Sequence, residues 1–120
     1  METCLCGAAT ILVHERIEMK VGPDWSTFVE AEFYRCSTCQ EAYFAPGQSD
    51  AAQRQAAEVY RQEFGLLSPE QLVQCRGEMS SAQFAKLIGV HPADIDRWER
   101  GAVPQPPYID RAIRAQVKPI

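Results

Sequence analysis

Residues 80–101, SSAQFAKLIGVHPADIDRWERG, decide how the second half of this chain folds. They contain two short stretches with apolar residues at helical spacing, and a helix-start signal precedes each. Between them, Gly89 can adopt the positive φ that a tight turn requires. The stretch therefore predicts two helices, 81–88 and 92–100, joined as a helix-turn-helix. That motif places its second helix in the major groove of DNA.

Similar start signals predict a compact helical bundle over residues 68–120. Ser68 and Ser80 each precede a glutamine by three residues, which is the spacing of a capping box. His91, with Asp94 three residues later and a proline at the first helical position, is expected to repeat the capping box. A helix after the proline run 104–107 completes the bundle. Its expected buried side chains are Ile109, Ala112, Ile113 and Val117.

The candidate DNA-contacting side chains lie on both helices of the motif. Arg97 is the expected base reader, because a guanidinium can donate two hydrogen bonds to O6 and N7 of guanine. Asp94 can accept a hydrogen bond from N4 of cytosine. Polar residues of the first helix are expected near phosphates, where that helix crosses the backbone. The residues predicted to contact DNA are Ser80, Ser81, Gln83, Lys86, Ala93, Asp94, Arg97 and Arg100.

The charge distribution leaves an alternative open. The chain has a net charge of −4, with −5 in residues 1–67 and +1 in residues 68–120. The second half can therefore approach phosphate, although Asp94 and Asp96 on the recognition face repel it. The alternative is a helical bundle whose surface charges are only solvated.

Four of the five cysteines occur in two pairs near the beginning of the chain. Cys36-Ser-Thr-Cys39 is a C-x-x-C knuckle, a spacing at which two thiolates can bind one tetrahedral Zn²⁺. The upstream pair, Cys4-Leu5-Cys6, is one residue shorter than the usual knuckle, and His14 is a possible substitute ligand. A four-thiolate site leaves no open position for water, so the zinc would be structural. The alternative is a site that has lost its metal and retains free thiols.

These patterns predict an α+β protein in three segments: a zinc-ribbon-like cysteine domain (1–47), a linking helix (48–67) and the helix-turn-helix domain (68–120). The first segment is expected to contain strands at Ile11–Val13, Phe28–Tyr34 and Tyr43–Phe44. Within the second segment, the apolar spacing predicts a helix over 49–64. Its expected inward residues are Ala52, Ala56, Val59, Tyr60 and Phe64.

Length and composition exclude several classes of protein. A chain of 120 residues can hold one modest domain or two very small ones. There is no membrane-spanning apolar run and no signal peptide, so the expected location is the cytoplasm, where thiols stay reduced. Cys75 lacks a partner at ligand spacing and is expected to be a small buried apolar residue. Because no catalytic triad, phosphate loop or carboxylate pair is present, we expect no enzymatic activity.

The combination of motifs resembles a known family. A cysteine pair followed by glycine, the run EAEFYRCSTCQEAYF at residues 30–44, and a helix-turn-helix ending RWERG are similar to the MqsA-type (YgiT-like) zinc-finger/helix-turn-helix antitoxins. The resemblance covers nearly the whole chain. It implies an N-terminal zinc domain that binds a small RNase toxin, and a C-terminal Xre-like (lambda-repressor-like) domain that dimerises and represses its own promoter.

The resemblance also implies roles for individual residues. Its zinc ligands match Cys6, Cys36 and Cys39, with Cys4 displaced by one position, and its recognition arginine matches Arg97. Two departures concern DNA reading. The base-reading asparagine of the family is replaced by Ala93, and Ser81 stands where Xre-like domains commonly have glutamine. The operator is therefore expected to differ from those of the family.

The sequence thus favours a DNA-binding repressor that is the antitoxin of a type II toxin–antitoxin pair. Its expected partners are double-stranded DNA of its own promoter, a small RNase toxin and a second copy of itself, with no membrane partner. Two alternatives remain: a standalone regulator that responds to metal or redox conditions, and a protein-interaction module that has lost DNA binding.

Overall fold

The computed structural model describes residues 3–116 as an α+β protein, with a three-stranded sheet followed by five helices. Val117, predicted to be buried, lies outside the described residues. The elements are β1 (Thr10–Lys20), β2 (Ser26–Cys36), β3 (Ala42–Tyr43), α1 (Gln48–Phe64), α2 (Pro69–Arg76), α3 (Ser81–Ile88), α4 (Pro92–Arg100) and α5 (Pro107–Gln116). None of these helices has the length and apolar character needed to cross a bilayer.

The chain divides into two compact units, Met1–Ala56 and Ala57–Ile120, which we name the sheet unit and the helical unit. The division falls inside α1, so the predicted linking helix contributes its first half to one unit and its second half to the other.

The sheet is antiparallel, with strand order β1-β2-β3. Its main pair is a long hairpin in which Thr10 lies opposite Cys36 and Lys20 opposite Ser26. The prediction of a short first strand at Ile11–Val13 was therefore wrong in length. Half-buried residues recur at every second position from Val13 to Met19, with exposed residues between them. This alternation is typical of a strand with one covered face and one exposed face.

The core of the sheet unit forms where the beginning of α1 packs on β2. Its buried side chains are Val29, Ala31, Phe33, Ala52 and Ala56. The side-chain amide of Gln55 donates a 2.8 Å hydrogen bond to the carbonyl oxygen of Glu30. This bond satisfies a backbone acceptor of β2 at a point where β3 does not pair with it.

Two of the three predicted capping boxes in the helical unit are confirmed. Ser68 with Gln71, and Ser80 with Gln83, form complete capping boxes. The prediction of a third capping box at His91 and Asp94 was wrong in its partners: the Nδ1 atom of His91 accepts a 3.1 Å hydrogen bond from the backbone of Ala93, and the Asp94 side chain pairs with Arg97 instead. These caps fix where three short helices begin.

The helical unit has a continuous apolar core. It consists of Leu72, Phe84, Ala85, Ile95, Trp98, Ile109 and Ile113. The predicted inward residues of α3 and α4 belong to it, except that Ile88 is only partly buried. Cys75 packs against this core but is only partly buried, less than was predicted, and burial raises the pKa of its thiol.

The predicted inward face of α1 was partly wrong. Val59 and Phe64 are 37% and 45% exposed, whereas Ala57 and Arg61 are buried. Arg61 donates a 2.8 Å hydrogen bond from its guanidinium to the carbonyl oxygen of Gly101. The second half of α1 therefore turns a charged side chain inward, which apolar periodicity alone does not reveal.

Candidate metal centre and nucleic-acid interface

The structure brings all four predicted cysteine ligands together. The Sγ atoms of Cys4 and Cys39 are 3.5 Å apart, and those of Cys6 and Cys36 are 3.4 Å apart. All four sulfur atoms lie within 4.8 Å of one another. We name these residues the cysteine cluster. It joins the two ends of the β-hairpin, because one pair precedes β1 and the other begins at the last residue of β2.

Two tight turns present the sulfur atoms. In each turn the residue after the second cysteine has a positive φ, +91° at Gly7 and +67° at Gln40. Backbone amides of Thr38 and Cys39 each lie 3.4 Å from Sγ of Cys36. The amides of the C-x-x-C turn therefore point at a sulfur, and the shorter C-x-C turn still brings both of its sulfurs into the cluster.

The spacing of the sulfur atoms fits a tetrahedral metal ion. With zinc–sulfur bonds of about 2.3 Å, tetrahedral geometry separates the sulfurs by about 3.8 Å. The distances of 3.4 and 3.5 Å, within an overall limit of 4.8 Å, lie close to this value. The cluster is therefore compatible with a structural metal site. Four thiolates around one ion would leave no position for a catalytic water.

Hydrogen bonds lower the pKa of two thiols of the cluster, Cys36 and Cys4, and the effect is largest at Cys36. Backbone amides of Cys39 and Thr38 lower the pKa of Cys36 to about 6. The Glu41 backbone amide lowers the pKa of Cys39, but hydrogen bonding with Cys36 and burial outweigh it and raise that pKa to about 12. A cation would therefore meet a thiolate at Cys36 and displace protons from the remaining thiols.

Tyr43 is a member of this site that the sequence analysis missed. Its hydroxyl lies 3.0 Å from Sγ of Cys4, and this hydrogen bond lowers the pKa of the Cys4 thiol. The same bond raises the pKa of Tyr43 to about 12. Because β3 pairs Tyr43 with Tyr34, the position of the hydroxyl depends on strand register. No spacing rule in the sequence predicts it.

His14 does not belong to the cysteine cluster. It lies on β1 opposite Glu32 and lines a groove of about 370 Å³ beside the start of α1. In residues 3–116 the potential ligand group contains cysteines alone. The alternative that His14 substitutes for a cysteine was therefore wrong. On an antiparallel strand pair, register decides which side chains approach the strand ends, and His14 lies several residues from that end.

The predicted DNA-contacting residues lie at the start of α3, on α3 and on α4, and all are exposed except Ser81 and Asp94, which are partly buried. Ser81 donates a 2.7 Å hydrogen bond to Oδ1 of Asp96, which ties the start of α3 to α4. Arg76 on α2 donates bonds of 2.7 and 3.1 Å to the Glu99 carboxylate, so α4 is also held from the other side. These contacts fix α4 and leave its remaining polar face exposed.

The individual side chains differ in what they can offer a ligand. In the capping box of α3, the Ser80 hydroxyl accepts a hydrogen bond from the backbone of Gln83, and the side-chain oxygen of Gln83 accepts one from the backbone of Ser80. Both oxygen atoms therefore already have partners. Lys86, Ala93 and Arg100 are exposed. Arg97 is about half exposed, and its guanidinium lies 3.2 Å from Oδ1 of Asp94. The face thus presents cations together with two carboxylates, Asp94 paired with Arg97 and Asp96 bonded to Ser81.

Comparisons with protein-family profiles, with curated proteins and with solved structures found no match. The functional argument therefore rests on the two sites themselves. One is a cluster of four thiols with metal-ligand spacing, and the other is an exposed polar face on two capped helices.

Proposed function

We propose that this protein is a sequence-specific DNA-binding repressor in which α3 and α4 form a helix-turn-helix and α4 is the recognition helix. One observation carries the proposal: two short capped helices meet at Gly89, and the second exposes Arg97 while burying Ile95 and Trp98. A helix that is packed through its apolar face can enter a major groove with its polar face towards the base edges.

The turn and the crossing of the two helices support this assignment. Gly89 ends α3 with φ of +92° and ψ of 33°, a left-handed conformation that glycine adopts without steric cost. Ala85 is 1% exposed in the shared core, and its small side chain suits a close approach of two helices. Together with the Ser81–Asp96 bond, this gives α4 a defined orientation relative to α3.

The cysteine cluster supports a structural zinc ion in the same protein. Zinc accepts four thiolates in tetrahedral geometry, and the sulfur spacing suits that arrangement. In this proposal Cys4, Cys6, Cys36 and Cys39 bind the ion and stabilise the sheet unit. The ion has no catalytic role.

Within this proposal the repressor is the antitoxin of a type II toxin–antitoxin pair, acts as a homodimer on its own promoter and binds a small RNase toxin. The charge of −5 on residues 1–67 supports a basic partner, since complementary charge speeds association. An enzyme that cleaves RNA is expected to be basic, because its substrate is a polyanion. The resemblance of the cysteine and helix motifs to zinc-finger/helix-turn-helix antitoxins supports the same assignment.

Fluorescence anisotropy on the DNA upstream of the gene, with scrambled duplex as control, tests the proposal at several salt concentrations. We expect preference for the upstream DNA, and Arg97→Ala to weaken specific binding by about 1–3 kcal/mol. Arg111→Ala is the matched control, because it removes an exposed arginine from α5. Equal binding of both duplexes by the parent protein would contradict the proposal.

A second candidate function is a standalone regulator that responds to metal or redox conditions. The two sulfur pairs at 3.4 and 3.5 Å favour it, since such pairs can bind a metal or become oxidised. A large loss of DNA affinity on chelation, with no toxin-neutralising activity, would favour this function over the antitoxin. Unchanged DNA affinity on chelation would exclude it.

A further inference from the structure

We propose that Asp94 is a specificity-determining residue, which selects a cytosine next to the guanine read by Arg97. This inference rests on the proposed DNA-binding function and concerns the same face of α4. It assigns a role to an acidic side chain that otherwise opposes binding to a polyanion.

The position of Asp94 is the first argument. It is the third residue of α4, in the turn whose residues reach base edges when a recognition helix enters the major groove. Its Oδ1 atom lies 3.2 Å from a terminal nitrogen of Arg97, one turn further along the helix. The carboxylate and the guanidinium therefore stand side by side on the face that would meet DNA.

The ion pair orders Arg97 before any ligand binds. A guanidinium has five N–H donors in a planar fork, so a single bond to Asp94 leaves donors for O6 and N7 of guanine. A side chain held in place also loses less conformational entropy on binding. In water an exposed pair of this kind contributes little to stability, so its effect is expected mainly in the complex, where solvent is excluded.

The second carboxylate oxygen then selects the neighbouring base. Among residues 3–116, no hydrogen-bond donor is found on Oδ2 of Asp94, whereas Oδ1 accepts from Arg97. An ionised carboxylate only accepts, so it is repelled by O4 of thymine and by O6 and N7 of guanine. Adenine offers a donor at N6, but its N7 acceptor is adjacent. Cytosine offers the N4 donor without a neighbouring acceptor, and it is the base that Asp94 fits best.

Asp96 provides the contrast within the same helix. Its Oδ1 atom accepts the 2.7 Å hydrogen bond from Ser81, so this carboxylate ties α3 to α4. Its charge also acts on Arg76, whose pKa is raised mainly by the hydrogen bond that its guanidinium donates to Glu99 and, to a smaller extent, by the charge of Asp96. Asp96 therefore has a structural partner, while Asp94 pairs with the proposed base reader.

Selection of bound duplexes from a randomised DNA library tests this proposal with the full-length parent, Asp94→Asn and Asp96→Asn. Both variants remove one negative charge from α4, and an asparagine at 96 can still accept from Ser81. We expect the parent to select a guanine next to a cytosine. Asp94→Asn should keep the guanine and weaken the cytosine preference about tenfold, because its amide can also donate to acceptor bases.

The control variant separates base reading from simple charge. Asp96→Asn should retain both preferences, while its affinity for all sequences rises. If the two variants change affinity equally and leave base preference intact, Asp94 is an ordinary surface charge and the inference is wrong. If the parent selects no sequence at all, the proposed DNA-binding function itself fails, and this result is distinct from the previous one. Circular dichroism of each variant checks that α4 remains folded.

Discussion

The sheet unit and the helical unit bury very different amounts of apolar side chain. The helical core contains Phe84, Trp98 and three isoleucines, whereas three of the five core residues of the sheet unit are alanines. Burial of large side chains is the main favourable contribution to folding, and very small domains commonly need a metal or disulfides in addition. The cysteine cluster lies in the unit with the smaller core. The difference suggests that a metal stabilises one unit and apolar packing the other.

The largest expected effect comes from removing a cysteine ligand. We expect Cys36→Ser, or chelation of the parent protein, to unfold the sheet unit and leave the helical unit folded, because metal binding free energy contributes directly to folding in such sites. Amide NMR signals should collapse for Thr10–Cys36 and persist for Pro69–Gln116. Cys75→Ser is the control, since Cys75 lies outside the cluster. Well-dispersed amide signals from the strands of Cys36→Ser would contradict the proposal that a metal stabilises the sheet unit.

The next effect concerns the helical core. Phe84 is 1% exposed, so Phe84→Ala should destabilise the helical unit by about 3–5 kcal/mol through lost burial and a cavity. Leu87→Ala on the same helix is the control, because Leu87 is 45% exposed and its truncation should have a much smaller effect. Urea unfolding followed through the helical signal measures both. Equal losses in the two variants would show that α3 is not packed as described.

A smaller effect is expected at Tyr43. Tyr43→Phe removes the hydroxyl that lies 3.0 Å from Sγ of Cys4 and keeps the ring. Loss of such an outer hydrogen bond lowers metal affinity by about 10–100-fold, so the variant should release zinc to a competing chelator more readily. Tyr34→Phe, on the neighbouring strand, is the control. Unchanged zinc affinity in Tyr43→Phe would contradict this prediction. It would show that the hydrogen bond to Sγ of Cys4 does not contribute to metal binding.

The smallest effect is expected at a helix cap. Ser80→Ala removes the acceptor for the backbone amide of Gln83 and should cost about 1 kcal/mol in the helical unit. Ser80→Asn, which retains a capping oxygen, should restore most of the loss. Urea titrations of the two variants give the comparison. A stability of Ser80→Ala equal to that of the parent would mean that packing alone positions α3.

Structural features that depend on residues close together in the sequence could be predicted. Features that depend on how distant strands pair could not. The caps at Ser68 and Ser80 were predictable because each involves a residue three positions away. The four clustered cysteines were predictable because ligand spacing is a property of the chain. The length of β1 and the hydroxyl of Tyr43 were missed, because strand register determines both.

Arg61 has a consequence for how the chain tolerates insertions and deletions. α1 has a polar composition, as in many spacer helices, and spacers commonly vary in length. Arg61, however, is 4% exposed and donates to the carbonyl oxygen of Gly101, at the end of α4. One residue added between Ala57 and Arg61 would rotate the guanidinium by about 100° around the helix axis and leave that carbonyl unbonded. Gains and losses of residues are therefore better tolerated in the exposed turn at residues 22–24 than in this part of α1.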